Sequence, residues 1–279
     1  MKIGLLGFGS LGEYLFNAAQ ERDELEVVWV WNRTAEALLK LPESLRVAKI
    51  EDIASFPPVD IIVEVAHPSI TEKYGSFLVR QANYFVGSPT CFADAETEKA
   101  VRDTLKECPN RAVYVPAGAF WGAQDIFKMA SNGSLHSLSV TMKKHPSSLK
   151  LEGELGERLA RVIEDKTEGE VVLYEGSVRG ICPLAPNNVN TMAAGALAGF
   201  NLGFDGVQAR LVSDRSLDAH VITIEASGAP NAQGDAFKIS TERYNPAAVG
   251  AVTGSATYAS FLSSLLQAHS QASGAIHLC

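Results

Sequence analysis

The feature that most constrains the fold of this chain is a glycine-rich turn within its first dozen residues. An apolar strand pattern at residues 3–6 runs into Gly7-Phe8-Gly9-Ser10-Leu11-Gly12, and a helical pattern follows at residues 13–19. In such a turn the first glycine permits the sharp bend, the second lets the backbone approach a pyrophosphate, and the third lets the helix pack on the strand. The bound anion lies on the free N–H groups at the helix start. The sequence predicts a dinucleotide site, with a purely structural turn as the alternative, and its expected contacts are Gly7, Gly9, Ser10, Leu11 and Gly12.

The end of the second predicted strand bears on which dinucleotide is bound. An NAD-selective site usually offers Asp or Glu there to the ribose hydroxyls, whereas here the strand at residues 25–31 is followed by Asn32, Arg33 and Thr34. An arginine with neutral neighbours can bind a 2′-phosphate as a forked cationic donor, and no carboxylate repels that phosphate. We therefore predict NADP in preference to NAD, with Asn32, Arg33 and Thr34 at the cofactor. The alternative is that Arg33 stacks on adenine or faces solvent.

The segments that follow alternate between strand and helix patterns. Residues 59–66 form an apolar run typical of a strand buried on both faces, and further strand patterns at 84–87 and 112–115 are separated by helical patterns. This order predicts an α/β fold, a Rossmann-type doubly wound parallel sheet. Ligands bind at the carboxyl edge of such a sheet, so Ala66 and His67, which follow the buried strand, are predicted cofactor contacts.

The composition changes after Pro116, and the rest of the chain predicts a second, α+β domain with a mixed or antiparallel sheet. Strand patterns occupy residues 135–144, 171–176, 208–213, 219–226 and 236–241, and we expect a turn to join the third and fourth of them. An Ala-rich helix is expected at 191–203, and the tail at 247–268 predicts a long helix with one apolar face. The predicted domains are 1–118 for the dinucleotide and 119–245 for the substrate, with the C-terminal helix 246–279 packing back on the first.

Composition excludes several classes of partner. The net charge of −8 and pI near 5.3 argue against a nucleic-acid surface, which needs clustered Lys and Arg. The four cysteines show no C-x-x-C pair, so we expect reduced thiols, no metal and no disulfide framework. The glycine turn leaves no room for a secretory signal, and no apolar run is long enough to cross a bilayer. We expect a cytoplasmic protein, acting as a homodimer on a small molecule.

Two of the six histidines occupy positions where proton transfer is easily argued. His67 lies at the end of a predicted nucleotide-domain strand, and His220 follows the turn at residues 213–218. A dehydrogenase must balance hydride removal by the loss of a proton, and histidine exchanges protons most readily near neutral pH. The alternative for His220 is a surface histidine whose ring pairs with Asp214 or Asp218.

Six motifs together resemble the L-aspartate dehydrogenase family. The resemblance spans nearly the whole chain, and its most specific part is the Pro-x-Asn-x-Asn stretch with a downstream histidine. It implies a Rossmann domain, a second domain with a mixed sheet, and oxidative deamination of L-aspartate to oxaloacetate through an imino acid. It also implies that His220 is the catalytic histidine, that Asn190 is the amide near the nicotinamide, and that Ala119 is a backbone contact to the cofactor. In chain order the motifs are Gly7-Phe8-Gly9-Ser10-Leu11-Gly12, Val63-Glu64-Val65-Ala66-His67-Pro68-Ser69, Pro116-Ala117-Gly118-Ala119, Glu175-Gly176-Ser177-Val178-Arg179, Pro186-Asn187-Asn188-Val189-Asn190 and Asn245-Pro246.

The chain departs from the family pattern beside the histidine and in one loop. Asp218 stands where members usually carry Asn, and Leu217 stands where they carry Arg. The loop after Ala119 is one residue longer, which makes Ala123 a rival for the cofactor contact.

A dicarboxylate substrate also needs cationic anchors, for which the sequence offers Lys143, Lys144 and Arg215. Lys144 falls where the family carries a basic strand residue. The alternative for all three is a solvated strand end.

Three functions remain open from the sequence. The first is an NAD(P)-dependent amino-acid dehydrogenase acting on aspartate or another small amino or oxo acid. The second is a non-catalytic NADP-binding regulator, which the altered surroundings of His220 allow. The third is a relative of homoserine dehydrogenase or dihydrodipicolinate reductase, which predicts activity on a semialdehyde or a cyclic imine.

Overall fold

Twelve strands and nine α-helices occupy the part of the chain that the computed structural model describes, which is residues 1–251, 255–268 and 273–279. In chain order the strands are β1 (Lys2–Leu6), β2 (Glu26–Trp31), β3 (Arg46–Val47), β4 (Ile61–Glu64), β5 (Asn83–Val86), β6 (Val113–Val115), β7 (Ser137–Lys144), β8 (Glu170–Ser177), β9 (Gln208–Asp214), β10 (Ala219–Ser227), β11 (Lys238–Pro246) and β12 (Ile276–Leu278). The helices are α1 (Ser10–Gln20), α2 (Pro68–Gln81), α3 (Ala95–Glu107), α4 (Ala123–Ser131), α5 (Gly153–Glu164), α6 (Val178–Ile181), α7 (Asn190–Ala198), α8 (Gly203–Gly206) and α9 (Ser255–Gln267).

The described residues form two compact units. One comprises Met1–Pro116, Leu262–His277 and Cys279, and the other comprises Ala117–Phe261 with Leu278.

The first unit contains a seven-stranded sheet with the order β12-β6-β5-β4-β1-β2-β3. Five neighbouring pairs of this sheet are parallel, namely β3-β2, β2-β1, β1-β4, β4-β5 and β5-β6. Ile3 and Leu5 of β1 and Ile61 and Val63 of β4 are fully buried, because these central strands are covered on both faces. The strand order reverses between β1 and β4, which creates the crevice where doubly wound sheets bind ligands. The predicted Rossmann-type sheet is confirmed.

Two short helices of the first unit differ in type from their sequence pattern. Residues 35–41 and 50–56 read as short helical segments, but Ala35–Leu38 and Ile50–Ser55 are 3₁₀ helices. Prolines follow each segment closely, at Pro42 and Pro57. A segment stopped after one or two turns forms too few i→i+4 hydrogen bonds to offset the cost of starting an α-helix.

The second unit contains a five-stranded mixed sheet with the order β11-β10-β7-β9-β8. Here β7 and β9 are parallel, whereas the other neighbours are antiparallel. A turn joins β9 and β10, as expected, but the two strands do not pair with each other, because β7 lies between them. The parallel pairing with β7 leaves β9 flanked on both sides, and its residues Leu211 and Val212 are fully buried.

The tail combines helix and strand. The helix predicted at 247–268 is shorter, since β11 extends to Pro246 and α9 begins at Ser255; residues 252–254 of that prediction lie outside the described part. The chain ends in β12, where the Cys279 N–H donates to the Val115 carbonyl at 3.0 Å and His277 stacks on Tyr114. The prediction of a helix over residues 246–279 is therefore wrong in its bounds, because the described helix covers Ser255–Gln267 and the chain ends in a strand.

Candidate active site

The glycine turn of the first unit has the geometry of a dinucleotide cradle. Gly7 has φ +112°, and a Cβ there would lie 2.8 Å from the backbone of Val65. A Cβ on Gly12 would lie 2.3 Å from the Gly7 carbonyl oxygen, so α1 packs this closely only without a side chain. Gly9 differs, because its φ of −86° suits any residue and an added Cβ would meet nothing within 4 Å. The fold itself requires Gly7 and Gly12, whereas the space at Gly9 fits a bound pyrophosphate.

We expect alanine at Gly9 and at Gly12 to separate binding from folding. Gly9→Ala should keep the melting temperature but weaken NAD(P)H by about tenfold or more, since the Cβ fills space against the pyrophosphate. Gly12→Ala should lower the melting temperature as well, because its Cβ meets backbone. Cofactor fluorescence titration and thermal melting check both. Unchanged cofactor affinity in a folded Gly9→Ala protein would contradict the cradle.

The residues that follow β2 have different environments, because Asn32 is hydrogen-bonded to its neighbours and Arg33 is exposed. The Phe8 N–H donates to Asn32 Oδ1 at 2.9 Å, and Asn32 Nδ2 donates to the Thr34 carbonyl at 2.9 Å. Asn32 therefore ties the glycine turn to the end of β2. Arg33 is exposed and makes no hydrogen bond or ion pair with the described residues, so its guanidinium is available to a ligand; Thr34 is exposed beside it.

The last residue of β4 is a fully buried carboxyl group, Glu64. It accepts the Ala66 N–H at 2.7 Å, the Ser88 N–H at 2.9 Å and the Ser88 hydroxyl at 3.1 Å. Burial raises the pKa of Glu64 to about 7, while these hydrogen bonds oppose the rise. Glu64 thus holds Ala66 in place against Gly7. Glu64 has no predicted role of its own, although a charged residue at the end of an apolar strand indicates a buried polar group.

His67 serves as the N-cap of α2. Its Nδ1 accepts the Ser69 N–H at 3.3 Å and lies 2.9 Å from the Ser69 hydroxyl, and Pro68 occupies the first turn. The ring therefore satisfies a helix end in the first unit. This use of Nδ1 makes His67 a weaker candidate for proton transfer than its position at a strand end implied.

A pocket of about 90 Å³ in the second unit gathers several of the predicted residues. Four of them line it, namely His220, Lys144, Asn190 and Ala119. Lys143 and Arg215 do not. The other lining residues have no role predicted from the sequence, and they are Met142, Asn187, Asn188, Thr191, Ile222, Asn245 and Thr257.

Strand pairing explains why three of these side chains meet. His220 of β10 pairs with Asn245 of β11, and Val221 pairs with Lys143 of β7. Continuing that antiparallel register by one residue sets His220 opposite Lys144. Directly opposed residues point to the same face of a sheet. Lys144, His220 and Asn245 therefore lie side by side on one face of the sheet, next to the apolar side chains of that face. We call these three residues the polar row.

The two adjacent lysines point to opposite faces of β7. Lys144 shares the buried face with Val140 and Met142 and is 4% exposed. Burial lowers the pKa of Lys144 to about 8. Lys143 lies on the other face and pairs with Glu170. Since side chains alternate along a strand, only one of the two predicted lysine anchors enters the pocket.

The third predicted anchor caps a helix instead. Arg215 Nη2 lies 3.2 Å from both the Val162 and the Ile163 carbonyl oxygens, near the end of α5. A cation there satisfies carbonyls that the helix leaves without partners. The structure thus assigns Arg215 to the stability of α5.

His220 is buried at 5% exposure, and its ring has a defined partner. The Nε2 atom lies 2.9 Å from the Ala251 carbonyl oxygen. A carbonyl only accepts, so Nε2 carries the proton and Nδ1 has the lone pair. Burial and the charge of Lys144 lower the pKa of His220 to about 4, against the opposing hydrogen bond to Ala251. The ring is therefore neutral near pH 7 and able to accept a proton.

The alternative of a surface histidine paired with a nearby carboxylate is wrong. Asp214 accepts the Ser216 N–H at 2.9 Å and the Ser216 hydroxyl at 2.7 Å. Asp218 accepts the Tyr244 hydroxyl at 2.7 Å. Both carboxylates stabilise the turn between β9 and β10, and the imidazole has its own partner in Ala251.

Asn190 is the first residue of α7 and presents an unused acceptor to the pocket. Its Oδ1 is buried and has no hydrogen-bond partner among the described residues. The helix reaches β7 closely, since a Cβ on Gly195 would lie 3.1 Å from the Val140 side chain. A buried acceptor without a partner is costly, and a ligand N–H would satisfy it. Asn190 Oδ1 therefore fits a carboxamide or an amine.

Ala119 is held in place by an arginine of β11. Arg243 Nη1 donates to the Gly118 carbonyl at 2.9 Å, and Gly118 turns the chain with φ +60°. Ala119 follows and lines the pocket, whereas its rival Ala123 is buried as the first residue of α4. The geometry favours Ala119.

Some kinds of site have no support in the described part of the chain. Within residues 1–251, 255–268 and 273–279, His, Cys, Asp and Glu form no group able to hold a metal ion. All four cysteines are free thiols. A helix of the length and apolarity needed to cross a membrane is likewise absent from these residues.

Family models match both parts of the chain. Residues 7–116 match the model described as homoserine dehydrogenase, NAD binding domain. Residues 125–264 match the model described as aspartate dehydrogenase, C-terminal. The two matches correspond to the cradle and to the pocket, respectively.

Relatives and solved structures agree with these matches. An aspartate dehydrogenase domain-containing protein of Xenopus tropicalis is 46% identical, over 100% of this chain and 98% of its own length. An L-aspartate dehydrogenase of Methanococcoides burtonii is 30% identical over 81% of this chain and 83% of its own. The crystal structure of aspartate dehydrogenase from Thermotoga maritima has a similar fold, with a TM-score of 0.68, 22% identity, and coverage of 97% of this chain and 95% of that one.

Proposed function

Because the chain belongs to the aspartate dehydrogenase family, we propose that it oxidises L-aspartate to iminosuccinate, which yields oxaloacetate and ammonia, or runs the reverse reductive amination. Membership of this family makes the chain an NAD(P)-dependent dehydrogenase, and L-aspartate is the substrate that we propose. The observation that carries the proposal is the polar row of Lys144, His220 and Asn245 in one pocket with the unpartnered Oδ1 of Asn190. Together they offer a cation for a carboxylate, a neutral base and an amide acceptor.

The proton has a defined destination in this proposal. A nicotinamide dinucleotide, when bound, supplies the hydride acceptor. His220 Nδ1 takes the proton that leaves the substrate amine, or the proton of the water that attacks the imine. The ammonium of Lys144 binds a substrate carboxylate, and that negative charge raises the pKa of both His220 and Lys144. Holding these groups in one geometry supplies most of the acceleration.

Asn190 and Ala119 orient the nicotinamide in this proposal. Asn190 Oδ1 would accept an N–H of the carboxamide, and this bond would satisfy a buried acceptor that the described residues leave without a partner. Fixing the carboxamide fixes the face of the ring that exchanges hydride. The pyrophosphate would be held by Gly7, Gly9, Ser10, Leu11 and Gly12, and Ala66 and His67 would lie beside it.

We further propose that the cofactor is NADP, bound through Arg33. The exposed guanidinium is available at the end of β2, and Asn32 braces the turn without adding negative charge. Arg33→Ala should weaken NADP(H) by about 1.5–3 kcal/mol, as expected for a charge-assisted hydrogen bond, and leave NAD(H) nearly unchanged. Arg33→Lys should lose part of this, since it keeps the charge but not the fork. Fluorescence titration with both reduced cofactors measures the difference, and equal losses for both would exclude the role.

A substrate screen tests the proposal against its alternatives. Oxaloacetate with ammonia should oxidise NADPH at a rate that other oxo acids do not match. A non-catalytic regulator would bind NADPH and show no turnover, and a reductase of similar build would act on a semialdehyde or a cyclic imine instead. Either result would overturn the aspartate assignment.

A further inference from the structure

The turn that presents the Ala251 carbonyl to His220 is held by a buried hydroxyl. Ala251, whose carbonyl accepts from His220 Nε2, belongs to a turn in which its N–H donates to the Ala248 carbonyl at 2.9 Å. The preceding residue, Gly250, donates its N–H to Ser148 Oγ at 3.1 Å. Gly250 has φ +89°, a conformation that side chains rarely adopt. One hydrogen bond therefore fixes a permissive glycine next to the carbonyl that binds the ring.

Ser148 is fixed from several sides. It is 1% exposed, and its N–H donates to the His145 carbonyl at 2.9 Å in the 3₁₀ turn that follows β7. Its carbonyl accepts Asn188 Nδ2 at 3.2 Å, and Asn188 Oδ1 accepts the Lys150 N–H at 2.8 Å. The hydroxyl that holds Gly250 is thus tied to the end of the strand that carries Lys144. Although Asn188 lines the pocket, its side-chain oxygen and nitrogen both make these supporting hydrogen bonds.

The tautomer of His220 decides what the ring can do. With Nε2–H directed at Ala251, Nδ1 offers a lone pair and can accept a proton. In the other tautomer Nδ1 carries the hydrogen and cannot act as a base. The Ala251 carbonyl selects between them only while it stays in place.

We propose that Ser148 is a positioning residue that holds His220 in its Nε2–H tautomer through the turn of residues 248–251. The inference rests on the proposed function for its catalytic meaning, because it concerns the base of that reaction. Its structural content, a hydroxyl that sets a tautomer, stands on the hydrogen bonds alone. Asn188 supports the same arrangement through its hydrogen bond to the Ser148 carbonyl.

The ¹⁵N chemical shifts of the His220 ring, assigned by their loss in His220→Asn, test this near pH 7 without turnover. The wild-type protein should show the Nε2–H tautomer. Ser148→Ala should shift the tautomer ratio by about fivefold, as expected for one lost hydrogen bond. Ser147→Ala is the matched control, because this exposed neighbour bonds to the His145 ring and should leave His220 unchanged. A wild-type Nδ1–H tautomer, or an unaltered tautomer in Ser148→Ala, would overturn the proposal.

Two further measurements keep the test valid if Ser148→Ala does not fold. In the wild-type protein the Gly250 amide should exchange slowly with solvent although Gly250 is exposed, and free exchange would contradict the proposal. Asn188→Asp keeps the acceptor for Lys150 but loses the donor to Ser148, so it should shift the tautomer in the same direction.

In active protein, Ser148→Ala should lower kcat and leave cofactor affinity unchanged. A Ser148-dependent tautomer in a chain that does not turn over aspartate would overturn the proposed function alone.

Discussion

Replacing His220 by Ala should lower kcat by about 10²–10⁴-fold, the usual contribution of a general acid–base group. The cofactor should still bind, because the glycine turn belongs to the first unit. His220→Asn should be nearly as poor, since an amide can donate and accept hydrogen bonds but cannot carry the proton. Steady-state kinetics with cofactor titration check both variants.

The pH dependence gives the same prediction a second readout. The ordinary pKa of histidine is about 6.5, and the sequence alone would place an ionisation there. In the structure, burial and Lys144 lower the pKa of His220 to about 4. The ring must be neutral to accept a proton, so kcat/KM should fall only as the pH drops toward about 4. If His220→Ala keeps more than about a third of the activity with this limb intact, the proton is handled elsewhere, and His67 is next to be tested.

Replacing Lys144 by Met should raise the KM for aspartate or oxaloacetate and lower kcat/KM. The loss of transition-state stabilisation should be about 2–5 kcal/mol, the cost of removing one partner of a buried charge pair. Methionine keeps the apolar stem, so the loss reports on the charge. The pKa of Lys144 is lowered to about 8. The alkaline limb of kcat/KM should therefore lie near 8 in the wild-type protein and disappear in the variant.

Lys143→Met is the matched control for this prediction. The two lysines are adjacent, yet Lys143 lies on the opposite face and pairs with Glu170. Its loss removes a partly exposed ion pair, which typically contributes less than about 1 kcal/mol. Equal effects of the two substitutions on KM would return Lys144 to a structural role.

Lys144 should also reduce the stability of the unliganded protein. Its pKa falls from 10.5 to about 8 on folding, so between these values the unfolded chain binds more protons, and the free energy of unfolding rises with pH. Below about 8 the folded protein bears the whole free-energy cost that corresponds to this lowered pKa. Lys144→Met should therefore raise the melting temperature at neutral pH while it impairs turnover. A lower melting temperature would show that the ammonium stabilises the fold.

Local sequence determined much of the first unit. The glycine turn specifies its own conformation, because Gly7 and Gly12 meet backbone at distances that exclude a Cβ. Apolar runs such as β4 can be buried only between two layers of helices, which with right-handed crossovers leads to a doubly wound sheet. Even the inward direction of Lys144 follows from its spacing after Val140 and Met142, since side chains alternate along a strand.

Tertiary structure decided the make-up of the pocket. The insertion of β7 between β9 and β10 sets Lys144 opposite His220, and pairing with β11 adds Asn245. Strand order and register depend on which distant segments bury each other, and a strand's own pattern records only its two faces. The same limit applies to the tautomer of His220, which depends on the Ala251 carbonyl and on a hydroxyl at Ser148, far from the histidine in sequence. The residue type was legible in the chain, but the protonation state came from partners that only folding brings together.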